Sequence, residues 1–396
     1  MKPSKALEEF VEKHWQDDPA RLLLKAKAPE GYTSKEAVQQ LIGAKIAKQK
    51  LPSWWENKQI LYPVKRSLEQ CSSELTARYK THLVRGQSLL DLSGGFGVDT
   101  SLFASSFKRV LYIEPDPQLA QLVQHNFKAL GLEHVHTHVQ TAEVFLAKFS
   151  GPVDVIYLDP SRRDDRQQRL VALEDCEPNI VTLLPQLKET SQTVLLKASP
   201  LLDIRKAIQA LPGTSEVHVV SVKNECKEIL FVIEQEHAGP VTFHAVDLLD
   251  KNQQLLFSFN QQEESDTPVT LSLPKSYLYE PNVAILKAGG FKSIARHFEL
   301  DKLHPNSHLY TSDKYMEDFP GRVFNIVTSY ALNKKEIKRH LPGKQANITV
   351  RNFPLSVEAI RKKTGITEGG DQYLFATTDM LGKKILLQCV KGKNSQ

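Results

Sequence analysis

Residues 81–236 are predicted to form a doubly wound α/β domain around a mostly parallel, seven-stranded sheet, and three observations carry that expectation. Short apolar runs alternate with amphipathic stretches. A glycine-rich turn, Asp91-Leu92-Ser93-Gly94-Gly95-Phe96-Gly97, follows the first run, and single acids, Glu114 and Asp159, close the second and fourth. The runs are Ser88–Leu92, Val110–Ile113, Val135–Val139, Val153–Leu158, Thr193–Leu196, Val217–Val222 and Ile229–Ile233. Helical patterns lie between them at Ser101–Phe107, Gln118–Leu130, Ala142–Lys148, Ile180–Glu189 and Leu202–Leu211. Strands separated by helices pair in parallel, because the chain must cross over to return. The last two runs are joined by the polar stretch Lys223–Lys227 and predict a closing antiparallel hairpin. Ligands of such sheets bind outside the carboxyl ends of the strands.

A chain of 396 residues exceeds one ordinary core, so further domains are expected on both sides. Residues 1–80 read as helical. Thr33-Ser34-Lys35-Glu36 has the form of a capping box, and Val38, Leu41, Ile42, Ile46 and Ala47 recur at helical spacing up to Leu51-Pro52. Trp54-Trp55 is expected in a loop, followed by a second helix from about Leu68 to Tyr79. Beyond Glu236 the parallel rhythm stops. Residues 237–320 predict a small α+β domain, with strands Val241–Leu248, Leu255–Phe259 and Val269–Leu273 and a helix near Val283–Gly289. Residues 321–396 predict a second, with strands Val323–Thr328, Ala346–Val350, Tyr373–Thr378 and Lys384–Cys389 and helices Lys334–His340 and Ser356–Lys363.

Hydrophobic and charged contents of 41% and 24% are those of a soluble globular protein. No run approaches the ~20 apolar residues of a membrane helix. Met1-Lys2-Pro3-Ser4 leads into a charged helical pattern and not a secretory core, so a cytoplasmic location is expected. Cys71, Cys176, Cys226 and Cys389 are scattered without a CxxC pair, which argues against a disulfide framework and against a metal site. Charge is uneven. Residues 321–396 hold 14 Lys and Arg against 5 Asp and Glu, an excess of nine that leaves residues 1–320 at −4 of the chain's +5. A basic terminal module on an acidic body suits a polyanionic partner.

The glycines of the Asp91–Gly97 turn let backbone approach a ligand closely. A nicotinamide fingerprint would space them as GxGxxG beneath a pyrophosphate. Here Asp91 precedes them, and a carboxylate at that place repels phosphate but suits a cationic amino-acid moiety. Glu114, ending Val110-Leu111-Tyr112-Ile113, stands where a carboxylate accepts ribose hydroxyl protons. Thr141-Ala142-Glu143 follows the third run, where an adenine ring would be flanked. Asp159-Pro160 ends the fourth run, the proline stopping the strand and turning Asp159 into the crevice.

With these motifs the chain resembles bacterial class I, S-adenosylmethionine-dependent methyltransferases that carry a ferredoxin-like insert and a C-terminal THUMP-like domain. The resemblance spans most of the chain. It includes Glu69-Gln70-Cys71-Ser72-Ser73-Glu74-Leu75-Thr76-Ala77, Asp159-Pro160-Ser161-Arg162-Arg163, Arg351-Asn352-Phe353-Pro354-Leu355-Ser356 and Gly369-Gly370-Asp371. It implies S-adenosylmethionine as cofactor, with Asp91, Ser93, Gly94, Gly95 and Gly97 at its methionine part, Glu114 at its ribose, and Ala142 and Asp159 bordering the site. THUMP-type domains are associated with RNA binding, so the resemblance also implies RNA, tRNA or rRNA, as substrate. Arg163, Arg351, Arg361, Lys362 and Lys363 are then the expected phosphate contacts.

The acceptor atom is a separate question. Methyl transfer is an in-line displacement in which protein groups align the acceptor and manage its proton. Amine-directed relatives use Asn/Asp-Pro-Pro-aromatic at the fourth strand. Asp159 and Pro160 match, Ser161 and Arg162 do not, and Arg162 offers a plane for a base or a charge for a phosphate. A base amino group is the leading expectation. The alternative is a ribose 2′-hydroxyl, served by Asp159, Lys197 and Glu228 with Lys80 as a further lysine. Pyrimidine carbon is disfavoured. Leu196-Lys197-Ala198-Ser199-Pro200 holds no cysteine nucleophile, and the acids flanking Cys176 would raise its pKa. A catalytically inactive scaffold that binds RNA or protein is a competing class, against which the intact Asp91, Gly97, Glu114 and Asp159 set argues. A small-molecule methyltransferase would leave the basic tail without purpose.

Overall fold

The alternating pattern becomes seven neighbouring strands of a nine-stranded sheet. These seven are β1 (Ser88–Asp91), β2 (Arg109–Ile113), β3 (Val135–His138), β4 (Val153–Leu158), β5 (Ser191–Ala198), β6 (Thr214–Val222) and β7 (Glu225–Glu234). In the computed structural model, which describes residues 2–25, 27–162 and 172–392, they are ordered β6-β7-β5-β4-β1-β2-β3. β1 pairs in parallel with β2 and β4, β2 with β3, and β4 with β5. β7 enters antiparallel to β5. The two-residue turn before it, Lys223 and Asn224, has φ of 49° and 63°, the left-handed pair that such a hairpin turn requires. Val155, Ile156, Tyr157 and Leu158 of β4 are all buried, as expected of strands covered on both faces. The exception proves useful: Asp154 accepts from the Gln87 and Ser88 amides at 2.7 and 2.9 Å, pinning the start of β4 to that of β1.

Most of these seven strands and the N-terminal helices make one compact unit, residues 1–217, 227–239 and 250–252. Helix Ser34–Lys50 begins with the predicted capping box: Thr33 Oγ1 accepts from the Glu36 amide, and Glu36 Oε2 accepts from the Thr33 amide at 2.8 Å. Leu7, Phe10, Leu22, Ala37, Val38, Leu41 and Leu61 form the core of this region. It docks on helix Pro117–Ala129, where the buried Asn126 side chain accepts from Leu61 N at 2.9 Å and donates to Leu61 O at 2.8 Å. Two expectations change. Trp54 and Trp55 lie in a short helix, Pro52–Glu56, which Pro52 starts at the position where its missing N–H costs nothing. The expected helix Leu68–Tyr79 is two, Lys65–Gln70 and Glu74–Thr81, because Ser73 caps the second by accepting from Thr76 N at 3.2 Å.

The second unit comprises residues 218–226, 240–249 and 253–396. β8 (Thr242–Leu248) and β9 (Gln254–Asn260) form an antiparallel hairpin. A further sheet takes in β10 (Tyr277–Pro281), β11 (Asp301–Lys302), β12 (Tyr310–Ser312), β13 (Gly321–Tyr330), β14 (Asn347–Val350), β15 (Tyr373–Thr378) and β16 (Lys384–Lys391), ordered β11-β12-β10-β13-β16-β15-β14. β10 pairs with β13, so residues 277–320 and 321–391 share this sheet. The expected strand Val269–Leu273 is reduced to one isolated bridge, Leu271 to Lys302. Pro268 and Pro274 bracket the segment and remove ladder donors at both ends. Phe353 packs beside a core cluster that includes Ile360 and Leu374, and Tyr373 beside one that includes Phe324 and Phe375. Among the described residues no helix is long and apolar enough to cross a membrane.

Candidate active site

The loop after β1 is organised by Asp91. Its carboxylate, 1% exposed, accepts from the Ser93 amide at 2.9 Å, from Ser93 Oγ at 3.2 Å and from Thr100 Oγ1 at 2.5 Å. Ser93 Oγ in turn accepts from the Asp159 amide at 2.6 Å, which ties this loop to the end of β4. The three glycines do different work. A Cβ on Gly94 would lie 2.6 Å from the Tyr112 ring, and one on Gly97 would lie 2.7 Å from Val123, so both are required by packing. Gly95 has φ of +59° and only Ser93 O, at 3.6 Å, near its open face. Of the three, it alone has open space where a Cβ would stand.

Glu114 ends β2 beside this loop. Its carboxylate accepts from Gly95 N at 2.9 Å and Asp116 N at 2.8 Å, each oxygen keeping a further lone pair. Burial raises its pKa, opposed by those two amides. Burial likewise raises Asp91 to about 7, against its bonds to Thr100 and Ser93 and with Asp99 adding to the rise. None of these neighbours of Asp91 brings a positive charge. Two desolvated carboxylates beside an open backbone fit a ligand that carries its own cations, as a sulfonium with an α-ammonium does. Ala142 begins helix Ala142–Leu146, buried behind the Thr141 cap, and the strand before it joins the site where Glu114 N donates to His138 O at 3.1 Å.

Across the loop, Asp159 stands at the end of β4 and Lys197 near the end of β5, with Lys197 Nζ 2.5 Å from Asp159 Oδ2. Their side chains are 34% and 12% exposed, so the pair is reachable from the crevice. Burial alone would lower the Lys197 pKa. The charges of Asp159, Asp99 and Glu228 override it, and the ammonium is held above its ordinary range. Beneath lies a second, closed cluster. Lys80 is wholly buried, its Nζ 2.8 Å from both Glu228 carboxylate oxygens, 3.2 Å from Asp99 Oδ1 and 3.0 Å from Ser72 Oγ. Asp99 Oδ2 accepts from Ser72 Oγ and Tyr157 OH, each at 2.8 Å. Burial would raise Asp99, but Lys80 and Lys197 hold it low. Glu228 stays raised, burial outweighing the same two lysines.

The fold therefore gathers Asp91, Ser93, Gly94, Gly95, Gly97, Glu114, Asp159 and Lys197 at the carboxyl ends of β1, β2, β4 and β5, with Glu228 and Lys80 beneath. Pro160 follows half-buried, and Arg162 lies in a two-residue strand, Ser161–Arg162, paired with Cys176–Glu177. Arg163 lies outside the described residues. In the second unit, Arg351 Nη2 is 2.9 Å from the buried carboxylate of Glu280, which Arg322 also engages, with Nε at 2.8 Å. Arg361 is half-buried, 3.8 Å from Glu368, whereas Lys362 and Lys363 are exposed. Asp99, Ser72, Thr100 and Tyr157 were not anticipated. The signal for Asp99 was modest: an acid in the first turn of helix Val98–Phe103, directly after the glycines.

Seven strands in this order, with a glycine loop after β1 and an acid ending β2, define a class I, S-adenosylmethionine-dependent methyltransferase. Family models match the C-terminal region, a ferredoxin-like domain over residues 277–320 and a THUMP domain-like region over residues 321–391. A "putative methyltransferase" from Porphyromonas gingivalis W83, known from its crystal structure, is 33% identical with a TM-score of 0.87, and the match covers 98% of each chain. Two Mycobacterium tuberculosis relatives, in strains CDC 1551 / Oshkosh and ATCC 25618 / H37Rv, are named uncharacterized S-adenosylmethionine-dependent methyltransferases. Each is 22% identical over 303 residues, 75% of this chain and 79% of the relative. The chain belongs to the family of the Porphyromonas gingivalis protein, methyltransferases with ferredoxin-like and THUMP-like C-terminal regions, and its cofactor is S-adenosylmethionine.

Proposed function

We propose that this protein methylates RNA, tRNA or rRNA, with Asp159 and Lys197 facing the acceptor nucleotide. The cofactor, when bound, supplies the methyl group. Asp91, the open backbone at Gly95, Glu114 and Ala142 hold it. Lys362 and Lys363 contact phosphates, in keeping with the positive excess of residues 321–396.

The observation that carries the choice of acceptor is the 2.5 Å pair between Lys197 and Asp159. A base amino group, the leading expectation from Asp159-Pro160, needs carboxylate or carbonyl oxygens free to accept its protons. Here an ammonium already holds Asp159 Oδ2, which leaves Oδ1 for an acceptor, enough for the single proton of a hydroxyl but short of the two of an amine. A hydroxyl acceptor gains from the same arrangement: Asp159 accepts the hydroxyl's hydrogen bond, and the Lys197 ammonium stabilises negative charge on oxygen as the proton leaves. The geometry thus favours a ribose 2′-hydroxyl over a base amine. Lys80, fully enclosed, keeps Asp99 and Glu228 ionically satisfied and touches no substrate.

The test incubates the full chain with radiolabelled S-adenosylmethionine and RNA from a strain lacking the gene, followed by nucleoside mass spectrometry. A 2′-O-methyl nucleoside is expected. An N-methyl base would return the assignment to the amine, and cofactor binding without transfer to any RNA fraction would overturn the RNA reading.

A further inference from the structure

The N-terminal helices enclose a cavity that methyl transfer does not use. It has a volume of about 300 Å3 and opens between helix Lys5–Lys13, helix Ser34–Lys50 and residues 55–62. Leu7, Val11, Ala44 and Leu61 make its apolar floor. Two half-buried indoles, Trp15 and Trp55, stand in its wall with centroids 6.5 Å apart and planes 52° to one another. Lys48 Nζ is 5.4 Å from the Trp15 ring and 5.2 Å from Trp55, and Lys58 Nζ is 5.5 Å from Trp55. Lys45 lines an adjoining open hollow of about 540 Å3 that shares Trp15 and Lys48. Glu8 and Glu12 lie on the rim, Glu12 at 3.9 Å from Lys58.

Neighbouring tryptophans are treated differently by the fold. Trp54 is 2% exposed and meets Phe96 of the cofactor loop edge-on at 4.9 Å, whereas Trp55, on the same short helix, keeps its ring at the surface. Half-buried indoles flanked by ammonium groups over an apolar hollow mark a surface shaped for a flat, anionic ligand. Every nucleobase offers such a face, and stacking on aromatic rings is the sequence-tolerant way to hold unpaired bases. Three ammonium groups against two carboxylates favour an anionic ligand, and lysines beside stacked bases take up phosphate. The rim carboxylates can accept from exocyclic amino groups. An apolar side chain from a protein partner would fill the hollow but leave the positive excess of this surface unmatched.

We infer that this cavity holds an unpaired nucleotide of an RNA strand, its base against Trp15 and Trp55 and its phosphates on Lys45, Lys48 and Lys58. The site rests on the RNA reading above but is separate from the transfer centre.

Intrinsic fluorescence tests it directly, because the chain has three tryptophans and two of them face the cavity. A 5′-phosphorylated, single-stranded oligoribonucleotide hexamer should quench the full chain saturably. In the Lys48→Glu, Lys58→Glu double variant its affinity should fall roughly tenfold or more, with a shallower salt slope. Melting temperature and S-adenosylmethionine affinity should be unchanged, which establishes the fold. Hexamer affinity unaltered by the double variant overturns the site, as does quenching by an apolar peptide in place of the hexamer. RNA methylation in the same preparation separates the two readings: transfer without cavity binding sinks only this inference, and the absence of both sinks the RNA reading as well.

Discussion

Acidification should release the cofactor through one buried carboxylate. Asp91 is raised to about 7 by burial, and Thr100 and Ser93 offset that only in part. A sulfonium and an ammonium in the site favour the ionised form, so below about pH 7 the free protein holds a proton that the complex must give up. If the bound form titrates at or below the ordinary value of about 3.9, the association constant should rise about tenfold per pH unit up to pH ~7, then level off. Between pH 5 and 6 that is ~1.4 kcal/mol. Glu114, also raised by burial, adds in the same direction, so the slope is one decade or more. Asp99 is held low by Lys80 and Lys197 and stays ionised, and His138 is lowered by burial and by His136. The cofactor's own amine, near pKa ~7.8, stays charged in this window. Calorimetry at pH 5, 6 and 7 in buffers of different ionisation enthalpy measures both quantities, and about one proton should leave per cofactor bound at the two lower values. Asp91→Asn should remove most of the slope. Affinity flat from pH 5 to 7 without proton release, in a protein shown to be folded, would refute the argument.

Other outcomes follow from the same geometry. Glu114→Ala should weaken cofactor binding by about 1–3 kcal/mol by calorimetry, the scale of removing charge-assisted hydrogen bonds. Asp159→Ala and Lys197→Met should leave cofactor affinity nearly unchanged while lowering single-turnover transfer by about 10²-fold or more; equal loss of binding and turnover would make them cofactor or folding residues. Lys362→Ala with Lys363→Ala should flatten the slope of log RNA affinity against log salt by about 0.7–0.9 for each phosphate no longer neutralised. Arg351 does not belong in that variant, since removing it leaves Glu280 with less of its neutralising charge.

The parallel sheet was legible because its signal is periodic and local: each buried strand reads as an apolar run, and each break carries a glycine, proline or acid. The loop was legible for the same reason, since Asp91, Gly95, Glu114 and Asp159 sit where their strands end. What local pattern could not reveal was pairing across long separations. Lys80 and Glu228 are 148 residues apart and meet at 2.8 Å. In sequence Asp159, Lys197, Glu228 and Lys80 read as one candidate set, whereas the fold pairs Lys197 with Asp159 and Glu228 with Lys80. Arg351 illustrates the same limit in the second unit. A basic residue in a basic module reads as a phosphate contact until the fold sets a buried carboxylate beside it. Position in an element can be inferred from one segment, but a partner depends on two.

That limit bears on the helical lead-in, whose composition suggests an accessory. Helix Glu74–Thr81 supplies Lys80, and the turn before it supplies Ser72. Lys80, with Lys197, neutralises Asp99 and Glu228, both buried beneath the Asp159–Lys197 pair, and Ser72 donates to Asp99. Taking the cation from such a cluster leaves buried carboxylates uncompensated, a loss of about 3–5 kcal/mol for a broken buried pair. Lys80→Met should therefore lower the melting temperature of the full chain markedly. Adding Glu228→Gln, which removes one of the stranded charges, should recover part of the loss. A purely peripheral lysine would show neither effect, and a double variant no more stable than Lys80→Met would mean that Glu228 is already neutral in the folded protein. Burial does raise the Glu228 pKa, so the recovery should shrink as pH falls and Glu228 takes up its proton. A melting series across pH thus separates the charge carried by Glu228 from that of Asp99, which keeps Lys197 and the Ser72 and Tyr157 hydroxyls on its ionised form when Lys80 is removed.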